Sequence, residues 1–223
     1  MDALLRRRAM MAAGGGSPTP PGPVIEPVFY DFLVFDGTAY ILTNYVLPSD
    51  SSIKLLVGWE TTKARQGIIQ AYGESNGGSI LAMLGNNTSS SRRQMVCYYD
   101  STSYLLASKY LNFTTTSYEL FLTPNKFGWD NTSYSISKGS VHPTDGLRIG
   151  QDGTQCFTGK MGTIYIYDSS AQNCSTASGF NSFTPVATFR PCTYNGAAGM
   201  WYVEGSTFFG NSAGSGTLST ENL

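Results

Sequence analysis

Ile53, Leu55, Val57 and Trp59 alternate with Lys54, Leu56, Gly58 and Glu60, the period-2 pattern of a strand with one buried face. Residues 146–168 carry a second clear pattern: a short strand over 147–150, a polar Gln-Asp-Gly turn, then a long strand holding Ile164, Tyr165, Ile166 and Tyr167. The isoleucines point one way and the tyrosines the other, so this strand is apolar on both faces and belongs near the centre of a packed sheet. Further period-2 segments fall at residues 40–46, 67–72, 80–84, 95–99, 118–122 and 133–137. Turn clusters separate them: Pro48-Ser-Asp-Ser-Ser, Glu74-Ser-Asn-Gly-Gly, Gly85-Asn-Asn-Thr and Pro124-Asn. Short strands in quick succession, with no helical pattern between them, predict an antiparallel sandwich, with a closed barrel as the alternative. Residues 169–185 read as irregular and polar, and short strands recur around 188–190, 200–203 and 207–209.

The first 27 residues break from this pattern. Residues 2–13 suffice for about three helical turns, and Asp2 near their start suits the helix dipole. A helix this short is marginal alone in water, and the Gly/Pro-rich stretch 14–27 reads as an extended spacer. Two readings stand side by side: a disordered tail, or an anchoring arm whose Leu4, Leu5, Met10 and Met11 make apolar contacts with a partner, beside Arg6, Arg7 and Arg8. The organisation expected is therefore an arm and linker at 1–27, a sandwich at 28–185 and a C-terminal hairpin extension packed on it at 186–223.

Composition narrows the function classes. The chain has 223 residues, enough for one substantial core, and a formal net charge of -1 with only 13% charged residues. No long-range field draws it to nucleic acid or an anionic membrane, and three arginines without aromatic partners are weak support for nucleic acid. No secretory segment and no long apolar run is evident, so the chain is expected in a cytoplasm, without membrane insertion. The sequons at Asn87, Asn112 and Asn131 are then simply polar loop residues. Cys97, Cys156, Cys174 and Cys192 stand far apart, with no CxxC pair. Their spacing does not choose among the three possible pairings, and free, mostly buried thiols are the reading preferred.

Three segments, in order, resemble concanavalin A-like jelly rolls of the laminin-G type. They are Phe35-Asp-Gly-Thr-Ala-Tyr-Ile, then residues 53–60 followed by Gly67-Ile-Ile-Gln-Ala-Tyr-Gly, then Leu147-Arg-Ile-Gly with Phe157-Thr-Gly-Lys-Met-Gly-Thr-Ile-Tyr-Ile-Tyr-Asp. The C-terminal run Thr188-Phe-Arg-Pro-Cys, Gly199-Met-Trp-Tyr-Val-Glu-Gly-Ser-Thr-Phe-Phe-Gly-Asn and Gly214-Ser-Gly-Thr is similar to the ending of virion-associated proteins of tailed bacteriophages. It departs from that pattern where Trp201-Tyr-Val-Glu replaces the usual Tyr-Asp.

The resemblance implies an all-β, antiparallel two-sheet jelly-roll sandwich in a virion appendage, a head or tail fibre or capsid decoration assembled in the host cytoplasm. Its partners would be other virion proteins through the arm, further copies of itself as dimer or trimer, and host surface glycans. A bacterial carbohydrate-binding lectin is the alternative. Sugar-binding members of such folds stack a ring on an exposed aromatic beside polar groups, which singles out Trp129, Asp130 and Asn131; the competing reading has Trp129 plugging one end of the sandwich. Trp59 is expected in the core, and Trp201 is expected to pack the C-terminal hairpin onto the sandwich. Calcium at a loop rim would call on Asp100, Asp130 and Asp152, residues that equally suit turn caps; no other cofactor is expected.

Catalysis is not expected. Glycosidases on this fold place carboxylates two residues apart on one strand, and the six glutamates (Glu26, Glu60, Glu74, Glu119, Glu204, Glu221) stand alone. His142, the single histidine, sits before Pro143 and reads as a turn residue rather than a general base.

Overall fold

The computed structural model describes residues 25–59, 65–72, 79–89, 92–98, 109–112, 117–136, 143–153 and 155–223. The strands run β1 (Val28–Phe29), β2 (Phe32–Asp36), β3 (Ile41–Val46), β4 (Ser52–Trp59), β5 (Arg65–Tyr72), β6 (Ser79–Ser89), β7 (Arg92–Tyr98), β8 (Lys109–Asn112), β9 (Tyr118–Leu122) and β10 (Lys126–Trp129). They continue with β11 (Thr132–Ser135), β12 (Gly146–Ile149), β13 (Gln151–Asp152), β14 (Gln155–Cys156), β15 (Thr158–Tyr167), β16 (Ala187–Tyr194), β17 (Ala197–Tyr202), β18 (Thr207–Gly210) and β19 (Leu218–Glu221).

Two antiparallel sheets face each other. The larger runs β11-β10-β9-β4-β15-β16-β17-β18, with β1 on β16 and with β2 joining β15 to β19; the smaller runs β3-β12-β5-β6-β7-β8. Among the described residues the strands form two separate sheets that do not close on one another, so the architecture is a sandwich and not the closed barrel. Their inner faces meet in one core that includes Leu33, Phe35, Ile41, Ile53, Leu55, Val57, Ile69, Leu120, Leu147, Phe157, Ile164, Ile166 and Phe189. Phe35 and Phe157 touch edge to face, 5.8 Å apart, at the centre of that layer.

The two-faced strand expected around Ile164–Tyr167 is β15, and it is central: β4 lies on one side, β2 and β16 on the other. Its inner residues Ile164 and Ile166 are fully buried. Its outer face is covered in part by residues 169–183, two short 3-10 turns that are irregular as expected but not merely polar. Ala171, Ala177 and Phe180 from this segment close over Phe121 and Tyr167 as a second small core. That cover also buries Lys54, on the face of β4 expected to be polar.

Other expectations are corrected locally. Gly85-Asn-Asn-Thr is not a turn but part of β6, because Gly85, Asn86 and Asn87 pair with Met95, Gln94 and Arg93 of β7. Backbone pairing prevails there over turn-forming side chains. Trp129 lies in a strand and not a loop; only Asp130 and Asn131 form the turn between β10 and β11. Residues 186–223 supply β16 to β19 to the larger sheet itself, with β16 directly on β15. The arm residues Leu4, Leu5, Arg6, Arg7, Arg8, Met10 and Met11 lie outside the described residues, as do Asp100 and His142.

Candidate functional site

The larger sheet forks beside β15. One edge of β15 pairs first with β2, through Met161 and Leu33, and then with β16, through Ile164 and Phe189. β16 pairs farther on with β1, through Cys192 and Phe29. Tyr30 and Asp31 cross the gap between β1 and β2, and Tyr30 is held there by its N–H donating to the Pro191 carbonyl at 3.0 Å. On the opposite edge of β15, the register with β4 shifts between Met161 and Ile164. Gly162 sits in that shift, where an added Cβ would come within 3.0 Å of the Leu56 side chain and 3.3 Å of the Asp31 carbonyl. A bulge of this kind re-aims side chains at the edge of a ladder.

Fork and bulge together open a groove of about 240 Å³ on the outer face of the sheet. Its floor carries Leu56, Thr163 and Tyr165, and its walls carry Tyr30, Asp31, Lys54, Glu119, Arg190 and Leu223. Apolar surface, two tyrosine rings and four charged groups therefore share one concavity. The Lys54 ammonium donates to Asn181 Oδ1 at 3.0 Å, pairs with the Glu119 carboxylate at 3.6 Å and lies 5.4 Å from the Tyr165 ring centre. Asn181 belongs to the covering segment 169–183, so that segment positions the lysine. Asp31 Oδ2 accepts the Leu223 N–H at 3.0 Å, and the Asp31 N–H donates to Asn222 Oδ1 at 3.2 Å. Two side-chain cations and two side-chain carboxylates thus share the groove.

Beyond Arg190 the outer face continues as an aromatic layer. Arg190 lies directly across from Trp201, and Trp201 across from Phe208. Tyr194 approaches both rings, at 5.4 Å from Trp201 and 5.6 Å from Phe208. Gly199 makes room for this layer: a Cβ there would meet the Phe208 ring at 2.7 Å. Beneath it Cys192 is fully buried, and burial pushes its thiol up to about 11 despite the nearby Arg190 charge. Trp201 thus sits half-exposed on the outer face and does not pack a separate hairpin onto the core, because its place in β17 alternates with the inward Met200.

The residues singled out from sequence fall elsewhere. Trp129 is half-buried at the end of the sandwich, packed on the main core, on Phe127 at 6.0 Å and on Tyr134 at 5.5 Å. It plugs the sandwich and does not stand beside Asp130 and Asn131 as an open stacking face. Asp130 adopts a left-handed φ of 47°, which a short polar side chain tolerates. Its carboxylate accepts the Glu119 N–H at 3.0 Å and its carbonyl accepts the Ala177 N–H, so it fastens the turn to β9 and to the covering segment. Asn131 is exposed. The side chains of Asp152, Trp59 and Cys97 lie outside the described residues. Among the described residues no group of three or more His, Cys, Asp or Glu could hold a metal ion. Cys156, Cys174 and Cys192 form no disulfide.

No protein-family model and no curated protein sequence matches the chain. Among solved structures it superposes on a proposed carbohydrate-binding protein of Bacteroides ovatus ATCC 8483, with a TM-score of 0.56 and 14% identity, over 89% of this chain and 62% of that one. The fold is an antiparallel two-sheet jelly-roll sandwich. A native heptameric SAP-like pentraxin from Limulus polyphemus matches at a TM-score of 0.48 and 10% identity, over 65% of this chain and 82% of that one. At such identities the likeness is one of fold and says nothing of the groove.

Proposed function

We propose that this chain is a non-enzymatic sugar-binding module whose site is the outer-face groove between the covering segment 169–183 and the end of β19. The observation that carries this is the groove's lining. Tyr165 and Tyr30 bring aromatic surface to the C–H side of a pyranose, while Lys54, Glu119, Thr163 and Arg190 offer donors and acceptors to its hydroxyls. The non-enzymatic part of this proposal is supported by the two groove carboxylates, each of which already holds a wall in place: Glu119 pairs with Lys54, and Asp31 accepts the Leu223 N–H.

The setting we propose is a tailed-phage particle, with the arm at residues 1–27 attaching the module and two or three copies displayed together on a symmetric appendage. This rests on the phage-like ending and on the arm and linker. A bacterial lectin module outside any virion is the second reading, favoured by the fold shared with the Bacteroides ovatus protein.

Affinity electrophoresis through gels cast with bacterial surface polysaccharides tests the binding. Retardation of the wild type in at least one polysaccharide, without release of new reducing ends, is expected; free migration in all of them contradicts sugar binding, and new reducing ends contradict the non-enzymatic assignment. Deletion of residues 1–27 should leave a folded sandwich that no longer joins particles. Normal incorporation of that truncation would remove the anchoring role.

A further inference from the structure

Of the four charged side chains at the groove, three are engaged. Lys54 pairs with Glu119 and donates to Asn181, while Asp31 accepts a backbone N–H. Arg190 alone has no ion pair or hydrogen bond within the protein among the described residues. Its guanidinium carbon lies 4.0 Å from the centre of the Phe29 ring, a stacking contact that orients the group but consumes none of its five N–H donors. The arginine is exposed, yet its backbone is fixed in mid-strand between buried Phe189 and Pro191. Trp201 stands directly across from it.

We propose that Arg190 makes the groove selective for saccharides bearing a carboxylate, such as uronic or sialic acids, by gripping both carboxylate oxygens with its guanidinium edge. This rests on the sugar-binding reading above and names the class of sugar. The physical case is one of matching. A planar two-oxygen anion fits a planar fork of donors in a bidentate pair, a geometry that an ammonium cannot offer. Stacking on Phe29 supplies the orientation in advance, so binding orders little of the side chain. Selectivity then comes from contact at Arg190. The sugar ring carrying the carboxylate would lie over Thr163 and Tyr165, which share the groove with Arg190.

The test is a glycan array of matched pairs in which each uronic or sialic acid is present free and as its neutral amide, with sulfated counterparts alongside. The full-length wild type should bind free acids roughly 10–100-fold better than their amides, the range of one charge-assisted hydrogen-bonded pair. Arg190→Gln should bring that ratio to near one. Arg190→Lys, which keeps the charge but loses the fork, should restore only part of it. Equal wild-type binding to acid and amide overturns the proposal, as does a preference that survives in Arg190→Gln or one that favours sulfates over carboxylates. Wild-type binding to neutral sugars alone overturns this proposal and leaves the sugar-binding reading standing; no binding to any saccharide overturns both. Unchanged unfolding midpoints of the two variants confine the effect to recognition.

Discussion

Thr217 donates its backbone N–H to Oδ2 of Asp36, 181 residues earlier in the chain. The other carboxylate oxygen accepts the Thr38 N–H and hydroxyl, each at 2.8 Å, and the Ala39 N–H at 3.0 Å. Partial burial alone would raise this carboxyl, but the bonds from Thr38, Thr217 and Ala39 outweigh it and hold the pKa at about 2, against an ordinary 3.8. The folded value is the lower one, so Asp36 lends stability above pH 3.8 that is lost as pH falls through about 2. Asp36→Asn is expected to cost about 1 kcal/mol at neutral pH, a modest figure because the carboxylate is exposed. It should also flatten the acid limb between those two pH values. Urea unfolding across pH 2–5 checks this, and parallel wild-type and variant curves would contradict it.

Phe180 is fully buried 4.9 Å from the Tyr167 ring and 5.7 Å from the Phe121 ring, and it pins the covering segment to the outer face. Phe180→Ala should cost about 3–5 kcal/mol, read as a lowered urea midpoint. Sugar binding should weaken as well, because Asn181, which holds the Lys54 ammonium, is the next residue along.

Tyr45 and Tyr167 are each raised from 10.0 to about 12, chiefly by burial; Tyr202 and Glu204 add to the first, and Tyr165, Cys174 and Glu119 to the second. The unfolded chain releases these protons first, so stability present below pH 10 should fall as pH rises towards 12. A double variant, Tyr45→Phe with Tyr167→Phe, should lose stability less steeply over that window. Unfolding midpoints measured against pH decide it, and equal slopes would count against it.

Trp129 packs on the main core and does not line the groove. Trp129→Ala should cost roughly 2–4 kcal/mol through lost packing on Phe127 and Tyr134. Glycan binding of the folded fraction should stay at the wild-type level. Loss of binding at unchanged stability would return the site to Trp129, Asp130 and Asn131.

The alternation of Ile164, Tyr165, Ile166 and Tyr167 was enough to place β15 at the centre of a sheet, since period-2 burial on both faces has few other solutions. The Phe35-Asp-Gly motif was also legible, and the structure gives its reason: Phe35 meets Phe157 in the core while Asp36 closes its own turn. The groove was not legible. It depends on β15 changing partners from β2 to β16 and on the register shift around Gly162, both consequences of long-range pairing. Lys54 read as a solvent-facing strand residue because nothing local shows that residues 169–183 fold back over it. Arg190 appeared only as part of a family-like ending, and its stacking on Phe29 joins residues far apart in sequence.

Tyr165 is the groove's floor and its aromatic face, so the most direct test sets the wild type against Tyr165→Ala on a broad glycan array, with unfolding midpoints recorded for both. Binding of the wild type to at least one glycan, lost by about tenfold or more in Tyr165→Ala while the variant stays folded, is the result expected. A blank array for the folded wild type, or equal binding by the variant, would contradict sugar recognition in this groove.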